Sequence, residues 1–256
     1  MGKSPLTTIV LLFFANFARL SLSPTWREMV ILPHWYNPTT RPTITRPQDS
    51  MTTLYLVRHG ENDYVKKGKL AGRLPGVHLN DKGRAQAAAL AAWFKDQPVK
   101  AVYASPLERT LETAAPIAAA LGLKVIERPG LLEMEIGDWT DMSLKRLALR
   151  KEWRVVQHNP SRFKFPNGET FAGAQARIAA EIESLAALHK NPKHALICVF
   201  HSDPIKLALS HFLGQPLDLF QRIMVSPGSV STVHLGPGGG AAVSAVNFLP
   251  PKIREA

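Results

Sequence analysis

Arg58 and His59 stand side by side at the end of an apolar stretch, residues 54–57, and Gly60 follows them directly. Such a run is typical of a buried strand, and a permanently charged guanidinium is costly to place at its end unless an anion binds there. In open α/β folds, ligands bind at the carboxyl ends of the strands. The pair therefore predicts an anion site that also offers an imidazole as nucleophile or base.

Three further polar side chains have spacings that could bring them to the same site. Arg109 lies within Ser105-Pro106-x-x-Arg109-Thr-x-x-Thr113-Ala114, His201 follows an apolar run directly, and Glu133 stands four residues before Gly137. Phosphoryl transfer needs a nucleophile, cationic donors for the phosphoryl oxygens and a proton for the leaving oxygen. Guanidinium groups suit the second task because they bind phosphate bidentately and stay charged.

From about residue 52 to residue 248, the sequence resembles the histidine phosphatase superfamily, the phosphoglycerate-mutase-like proteins. The resemblance rests on the Arg-His-Gly turn and on the motifs around Arg109, Glu133 and His201. It implies that His59 becomes phosphorylated during turnover and that Arg58 and Arg109 clamp phosphate. It also implies that His201 donates to the transferred phosphoryl group and that Glu133 is the general acid and base.

Two turns depart from the family pattern. Asn62 stands where a threonine or serine is usual and can replace its hydroxyl as a hydrogen-bond partner, whereas Val65 cannot replace the asparagine usual at its position. Ser202 stands in place of a glycine, and its amide can still donate to a phosphate. Asn62 and Ser202 are therefore expected to bind phosphate as well. Glu135 is the alternative to Glu133, although a solvated or helix-start role suits it better.

The residues and the resemblance together predict a metal-independent phosphomonoester hydrolase that acts through a phosphohistidine on a small phosphorylated metabolite, with no cofactor. Residues 138–144 look more like the broad phosphatase branch, which includes α-ribazole-phosphatase-like proteins, than like the mutases. A cofactor-dependent phosphoglycerate-mutase-like phosphomutase is the enzyme alternative, and a phosphate-binding protein without turnover is the other. Residues 72–73 and 167–169 could contact the substrate or simply form turns.

Composition limits the class of partner. The chain has 256 residues, a formal net charge of +11 and a sequence pI near 10.0. This charge suits phosphorylated anions, and we expect no nucleic-acid partner because the basic residues are scattered and no nucleic-acid motif accompanies them. The single cysteine, Cys198, lies in an apolar run and is expected to be a small core residue. One cysteine is compatible with the cytoplasm, which is the compartment we expect.

Residues 1–50 differ in composition from the rest of the chain. Residues 6–15 have the length of the apolar part of a signal peptide but are short for a membrane span. Residues 24–50 are rich in proline, threonine and arginine, and Met51 stands just before the first predicted strand. We expect a domain at residues 51–256 and an N-terminal extension at residues 1–50. The extension is interpreted as an overextended gene model, a secretion signal, a disordered segment, or a short anchoring or interaction segment, with no firm membrane partner.

Alternating strands and helices must position the site residues. Strands are expected at residues 53–57, 101–104, 124–126, 195–200, 229–235 and 242–246. Helices are expected at residues 80–94, 106–121, 169–188 and 204–212, with Pro106 in the first turn of the second helix and a kink or new segment at Pro116. The alternation predicts an α/β fold, a three-layer αβα sandwich with a mostly parallel central sheet. The aromatic-containing residues 137–170 should form a helical cap beside the site.

Overall fold

The computed structural model describes residues 51–189, 191, 194–236 and 239–251, so the expectations for residues 1–50 lie outside the described residues. This part of the chain contains a sheet of six strands. The strands are β1 (Thr52–Arg58), β2 (Val99–Ala104), β3 (Val125–Glu127), β4 (Ala195–Phe200), β5 (Val230–Leu235) and β6 (Ala241–Phe248). Each one overlaps a strand expected from the sequence.

The order of the strands across the sheet is β3-β2-β4-β1-β5-β6. The first four in this order are parallel to one another, and β5 and β6 are antiparallel additions beside β1. The sheet is therefore mostly parallel, as predicted. Because β4 lies between β1 and β2, the carboxyl ends of these three strands meet at one edge of the sheet.

Helices cover both faces of the sheet in the described part of the chain. They are α1 (Asp63–Lys67), α2 (Asp81–Phe94), α3 (Glu108–Ala120), α4 (Leu144–Leu147), α5 (Lys151–His158), α6 (Phe171–Leu188) and α7 (Ser202–Phe212). Leu196, Cys198 and Phe200 of β4 share a hydrophobic core with α6 and α7, whereas Ile197 and Val199 share the other core with α2 and α3. This alternation along one strand confirms the three-layer αβα sandwich and the core position of Cys198.

Of the two proline predictions for α3, the one for Pro106 is wrong, whereas a kink at Pro116 stays a prediction. The helix begins at Glu108 after the extended residue Leu107, so Pro106 lies outside its first turn. The helix also continues through Pro116, and no second segment begins there. Pro116 is half-exposed while Ile117 is fully buried, so we attribute the continuity to core packing of the opposite face.

The cap, residues 137–170, has the helical structure that the sequence indicated. It contains α4, α5 and two short 3₁₀ segments, Gly137–Trp139 and Pro160–Arg162. The buried Trp139 forms an edge-to-face contact with Phe165, with ring centroids 5.3 Å apart. These aromatic side chains belong to a core of their own that is separate from the two cores of the sheet.

The sequence analysis did not predict α1 or the 3₁₀ segment Leu217–Arg222. None of the described helices combines the length and apolar character needed to cross a membrane.

Two glycines allow the turn after β1 to lie directly against the start of α2. A Cβ atom at Gly60 would lie 2.5 Å from the carbonyl oxygen of Gly83, and one at Gly83 would lie 2.0 Å from that of Glu61. Neither distance is tolerable for a non-bonded carbon and a rigid backbone oxygen. The amide of Gly83 also donates to the side-chain oxygen of Asn80, which caps α2, at 2.9 Å. Glycine at position 83 therefore fixes the position of the turn that carries His59.

Gly83→Ala is expected to lower the free energy of unfolding by about 1–3 kcal/mol, because the new methyl group must push the turn away from α2. Urea denaturation measures this change. Gly173→Ala is the matched control, because Gly173 holds the same position after the cap Thr170 and its nearest Cβ neighbour would be only that capping oxygen, at 3.1 Å. Equal effects of the two substitutions would contradict the backbone contact as the cause.

Candidate active site

The ends of β1, β2 and β4 bring three polar residues together. Arg58 pairs in register with Phe200, so His59 and His201 leave neighbouring strands at the same level. The two imidazole rings have centroids 5.4 Å apart. Ser105 follows β2, and its hydroxyl lies 2.9 Å from Nε2 of His201. Parallel strands thus place residues that are far apart in sequence at one edge of the sheet.

His59 is a neutral imidazole. A hydrogen bond from one ring nitrogen fixes the ring, and the other nitrogen takes no part in that bond. Nδ1 donates to the carbonyl oxygen of Gly60 at 2.7 Å, and because a carbonyl only accepts, the proton is assigned to Nδ1. Burial, followed by the charges of Arg109 and Arg58, holds the pKa of His59 well below its ordinary value. The Gly60 amide is in turn fixed by Thr113 Oγ1 at 3.0 Å. Nε2 therefore retains its lone pair at neutral pH.

Each of the two predicted clamp arginines is anchored by one carbonyl group and keeps another nitrogen unpaired. Arg58 donates through Nη1 to Val225 at 2.7 Å, and Arg109 donates through Nη2 to Gly72 at 2.7 Å. Nε of Arg58 and Nη1 of Arg109 are buried and have no hydrogen-bond partner among the described residues. Both side chains line the cavity, and guanidinium groups are well suited to hold a phosphate.

His201 lies beside the cavity and is completely buried. Its Nδ1 nitrogen has no hydrogen-bond partner among the described residues and lies 3.9 Å from Oε2 of Glu133. Burial, followed by the charge of Arg109, keeps the pKa of His201 well below its ordinary value. The imidazole is therefore neutral, with Nε2 hydrogen-bonded to Ser105 and Nδ1 near the carboxyl group of Glu133.

Glu133 lines the cavity, and its pKa lies close to neutral pH. Its Oε1 accepts a hydrogen bond from the Met134 amide at 2.9 Å. Burial and then the Asp203 carboxylate raise the pKa of Glu133 to about 7, against the opposing effects of that amide, Arg109 and Arg58. A carboxyl group with this pKa can both donate and accept a proton near pH 7.

Glu135 has a different environment from Glu133. Its Oε2 lies 3.2 Å from Nη1 of Arg73, and the residue is not part of the cavity wall. Arg73 also donates through Nε to the backbone oxygen of Glu133 at 2.7 Å. Glu169 accepts from the Glu135 amide and from Arg177, both at 2.9 Å. These residues therefore hold the backbone on which Glu133 stands.

Of the segments that could contact substrate or form turns, only Gly72 lines the cavity. Arg73, Asn167, Gly168 and Glu169 lie outside its wall. Gly72 has a φ of +52°, and its carbonyl orients Arg109. The supporting role of Arg177 has no signal in the sequence, because its partners follow only from the packing of α6 beside the loop.

Asn62 and Ser202 both lie on the cavity wall, as does Val65. Asn62 is buried, and its side-chain oxygen caps α1 by accepting from the Val65 amide at 2.9 Å, which leaves its NH₂ group as the polar group that can serve a ligand. Ser202 is the first residue of α7, where backbone amides are not used within the helix. Both positions are compatible with phosphate binding, which stays a prediction.

The cavity has a volume of about 340 Å³, which is at the lower end of the range for small-molecule sites. Its wall combines the strand-end residues, the loop that contains α1 and the inner side of the cap. No cluster of three or more His, Cys, Asp or Glu side chains suited to a metal ion occurs in the described part of the chain. The fold and the site thus define an α/β protein with a cationic pocket that presents a neutral histidine nitrogen.

Comparison with known proteins identifies the family. The model of the histidine phosphatase superfamily (branch 1) matches residues 54–247. Phosphoserine phosphatase 1 of Hydrogenobacter thermophilus is 29% identical over 187 residues, which cover 72% of this chain and 87% of that protein. A probable phosphoglycerate mutase of Erwinia tasmaniensis is 28% identical over 185 residues, which cover 72% and 85% of the two chains. The solved α-ribazole phosphatase from Shigella flexneri is similar with a TM-score of 0.68 at 25% identity, and the match covers 77% of this chain and 96% of that one.

The chain belongs to the histidine phosphatase superfamily, branch 1, and is an enzyme of the phosphatase type, with phosphomutases also among its relatives. The resemblance stated from the motifs is therefore confirmed. This family acts on small phosphorylated substrates.

Proposed function

We propose that this chain is a metal-independent phosphomonoester hydrolase that forms a phosphohistidine at His59 and acts on a small phosphorylated metabolite. The observation that carries the proposal is a neutral His59 whose Nε2 is not used by the hydrogen bond to Gly60. It lies in a cavity wall with Arg58 and Arg109, each of which has a buried donor without a partner among the described residues. The two arginines supply the positive charge that phosphoryl transfer requires.

In the proposed first step, phosphate oxygens accept hydrogen bonds from Arg58, Arg109 and Nδ1 of His201. The His59 Nε2 lone pair attacks phosphorus, the ester P–O bond breaks, and Glu133 gives its proton to the leaving alkoxide. The carbonyl of Gly60 stabilises the positive charge that develops on the ring, because it already accepts from Nδ1 at 2.7 Å.

In the proposed second step, the Glu133 carboxylate removes a proton from a water molecule. The water oxygen attacks phosphorus, the P–N bond breaks, and inorganic phosphate leaves with His59 restored to its neutral form. The pKa of Glu133 near 7 supports both of its roles, since either protonation state is accessible without a large free-energy cost.

Hydrolysis of p-nitrophenyl phosphate in excess EDTA tests the reaction class. We expect phosphate release at the same rate with and without the chelator. Loss of activity on chelation would contradict metal independence, and absence of hydrolysis across a panel of phosphomonoesters would favour a mutase or a phosphate-binding protein.

A phosphoglycerate mutase-like activity is the second candidate, because a probable mutase is 28% identical over 185 residues. Interconversion of 2- and 3-phosphoglycerate in the presence of 2,3-bisphosphoglycerate, at a rate above that of phosphate release, would favour it. We expect phosphate release to be faster.

Our proposal has two further parts. The catalytic domain comprises residues 51–256, and its compartment is the cytoplasm.

The proposed acid has a pH signature. Since burial and Asp203 raise the pKa of Glu133 to about 7, its protonated form is lost as the pH rises through that value. For an alkyl phosphate, whose leaving group needs the proton, kcat/KM should fall about tenfold per pH unit above the pKa. His59 adds no limb in this range, because its pKa lies well below 6.5.

Glu133→Gln should remove this alkaline limb and should slow alkyl ester hydrolysis more than p-nitrophenyl phosphate hydrolysis, because p-nitrophenolate leaves without a proton. Glu135→Gln is the control and should keep the wild-type midpoint. The variants share the substrate, so its own ionisation cancels in the comparison. A limb that persists in Glu133→Gln and disappears in Glu135→Gln would reverse the assignment.

A further inference from the structure

The cavity extends from the phosphate-binding residues along a wall that is mostly apolar. This wall is formed by side chains of the α1 loop and of the cap, which include Val65, Leu70, Trp139, Leu144, Trp153 and Val156. Trp139 and Trp153 stack with ring centroids 6.2 Å apart and an interplanar angle of 29°. Leu144 is 38% exposed, although it belongs to a cap whose aromatic residues form a buried core. The group attached to the phosphate would therefore lie against hydrocarbon.

The two lysines of the cavity already have protein partners. Lys69 pairs with Asp141, which also accepts a hydrogen bond from Tyr64. Lys206 donates to Asp203 at 3.1 Å and to Gln221 at 3.2 Å. A ligand carboxylate would therefore compete with these partners for the charge of each lysine.

Negative charge near the phosphate-binding residues also disfavours a leaving group that carries a carboxylate. Asp203 lines the cavity, and a second negative charge on the leaving group would approach its carboxylate. A substrate such as a phosphorylated amino acid or hydroxy acid would thus be repelled on one side and poorly paired on the other. An apolar leaving group meets neither obstacle.

We propose that the substrate's leaving group is a flat, apolar alcohol of the size of one or two aromatic rings, held against Trp153 and Leu144 while Arg58 and Arg109 hold its phosphate. This inference rests on the proposed phosphomonoesterase function and specifies its substrate class. The cavity volume of about 340 Å³ accommodates a leaving group of this size.

The test compares kcat/KM for 2-phenylethyl phosphate and 2-hydroxyethyl phosphate. Both are esters of primary alcohols with similar acidity, so the chemistry of departure is matched and only the interaction with the wall differs. We expect the phenylethyl ester to be preferred by about tenfold or more. The preference should fall towards one in Trp153→Ala and, to a lesser extent, in Leu144→Ser. Leu149→Ser is the matched control, because Leu149 is 89% exposed on the same cap and does not line the cavity; its preference should equal that of the wild type.

A wild-type preference near or below one, or a preference that both cavity variants leave unchanged, would overturn the inference. Measurable hydrolysis of either ester in that case would leave the proposed function standing. Absence of hydrolysis of both esters and of p-nitrophenyl phosphate would overturn the proposed function, and the inference with it. The Leu144→Ser variant keeps the test decisive if Trp153→Ala fails to fold, since its side chain is already partly exposed.

Discussion

His59→Ala is expected to lower kcat for p-nitrophenyl phosphate by at least about 10⁴-fold, because it removes the nucleophile of the proposed covalent step. The substitution leaves both arginines in place, so binding of inorganic phosphate should persist. Steady-state kinetics and phosphate binding by calorimetry, measured on the same preparation, separate these two effects. The expected variant therefore binds phosphate and does not turn over.

His158→Ala is the control for this substitution. His158 is an exposed histidine at the end of α5 and does not line the cavity of the candidate active site. Its removal should change kcat by less than about twofold, since surface substitutions away from a site have small effects. Wild-type turnover in His59→Ala would refute the proposed mechanism, whatever the behaviour of the control.

Arg109→Lys is expected to lower kcat/KM by about 10²–10³-fold, although the positive charge is kept. Lysine cannot donate to Gly72 and to a phosphate oxygen from two ends of one rigid group, as the Arg109 nitrogens are placed to do. The side chain is 1% exposed, so a lysine amine there would also be poorly solvated. Kinetics with p-nitrophenyl phosphate measure the loss.

Arg222→Lys provides the corresponding control. Arg222 is exposed at the end of the segment Leu217–Arg222 and is not part of the cavity wall. Its replacement should have little effect on kcat/KM. If Arg109→Lys behaved in the same way, the geometry of the guanidinium would be irrelevant and the clamp would be reduced to a simple positive charge.

The strand ends were predictable from the sequence because apolar runs followed by polar residues are a local pattern. That pattern indicated the positions of Arg58, His59 and His201, and the parallel order of β1, β4 and β2 brings the two histidines together. The resemblance added Arg109 and Glu133, both of which line the cavity. Family knowledge and strand periodicity thus supplied different parts of the same site.

Contacts between distant segments were not predictable in the same way. The hydroxyl of Ser105 reaches His201 across 96 positions in sequence, and Glu169 accepts from an amide 34 positions away. Such partners depend on how the cap and the helices pack, which no local spacing encodes. The prediction that Pro106 lies in the first turn of α3 failed for a related reason, since local preference gave way to the tertiary position of the helix.

The most direct test of the proposed mechanism is to trap the phosphorylated enzyme. Wild-type protein mixed with a phosphomonoester in EDTA, and quenched in alkali within milliseconds, should contain a phosphoryl group on His59 that is stable to base and labile to acid. The same experiment on His59→Ala should give none. Rapid phosphate release with no phosphohistidine at any time, or a phosphoryl group mapped to another residue, would contradict the proposal that His59 is the nucleophile.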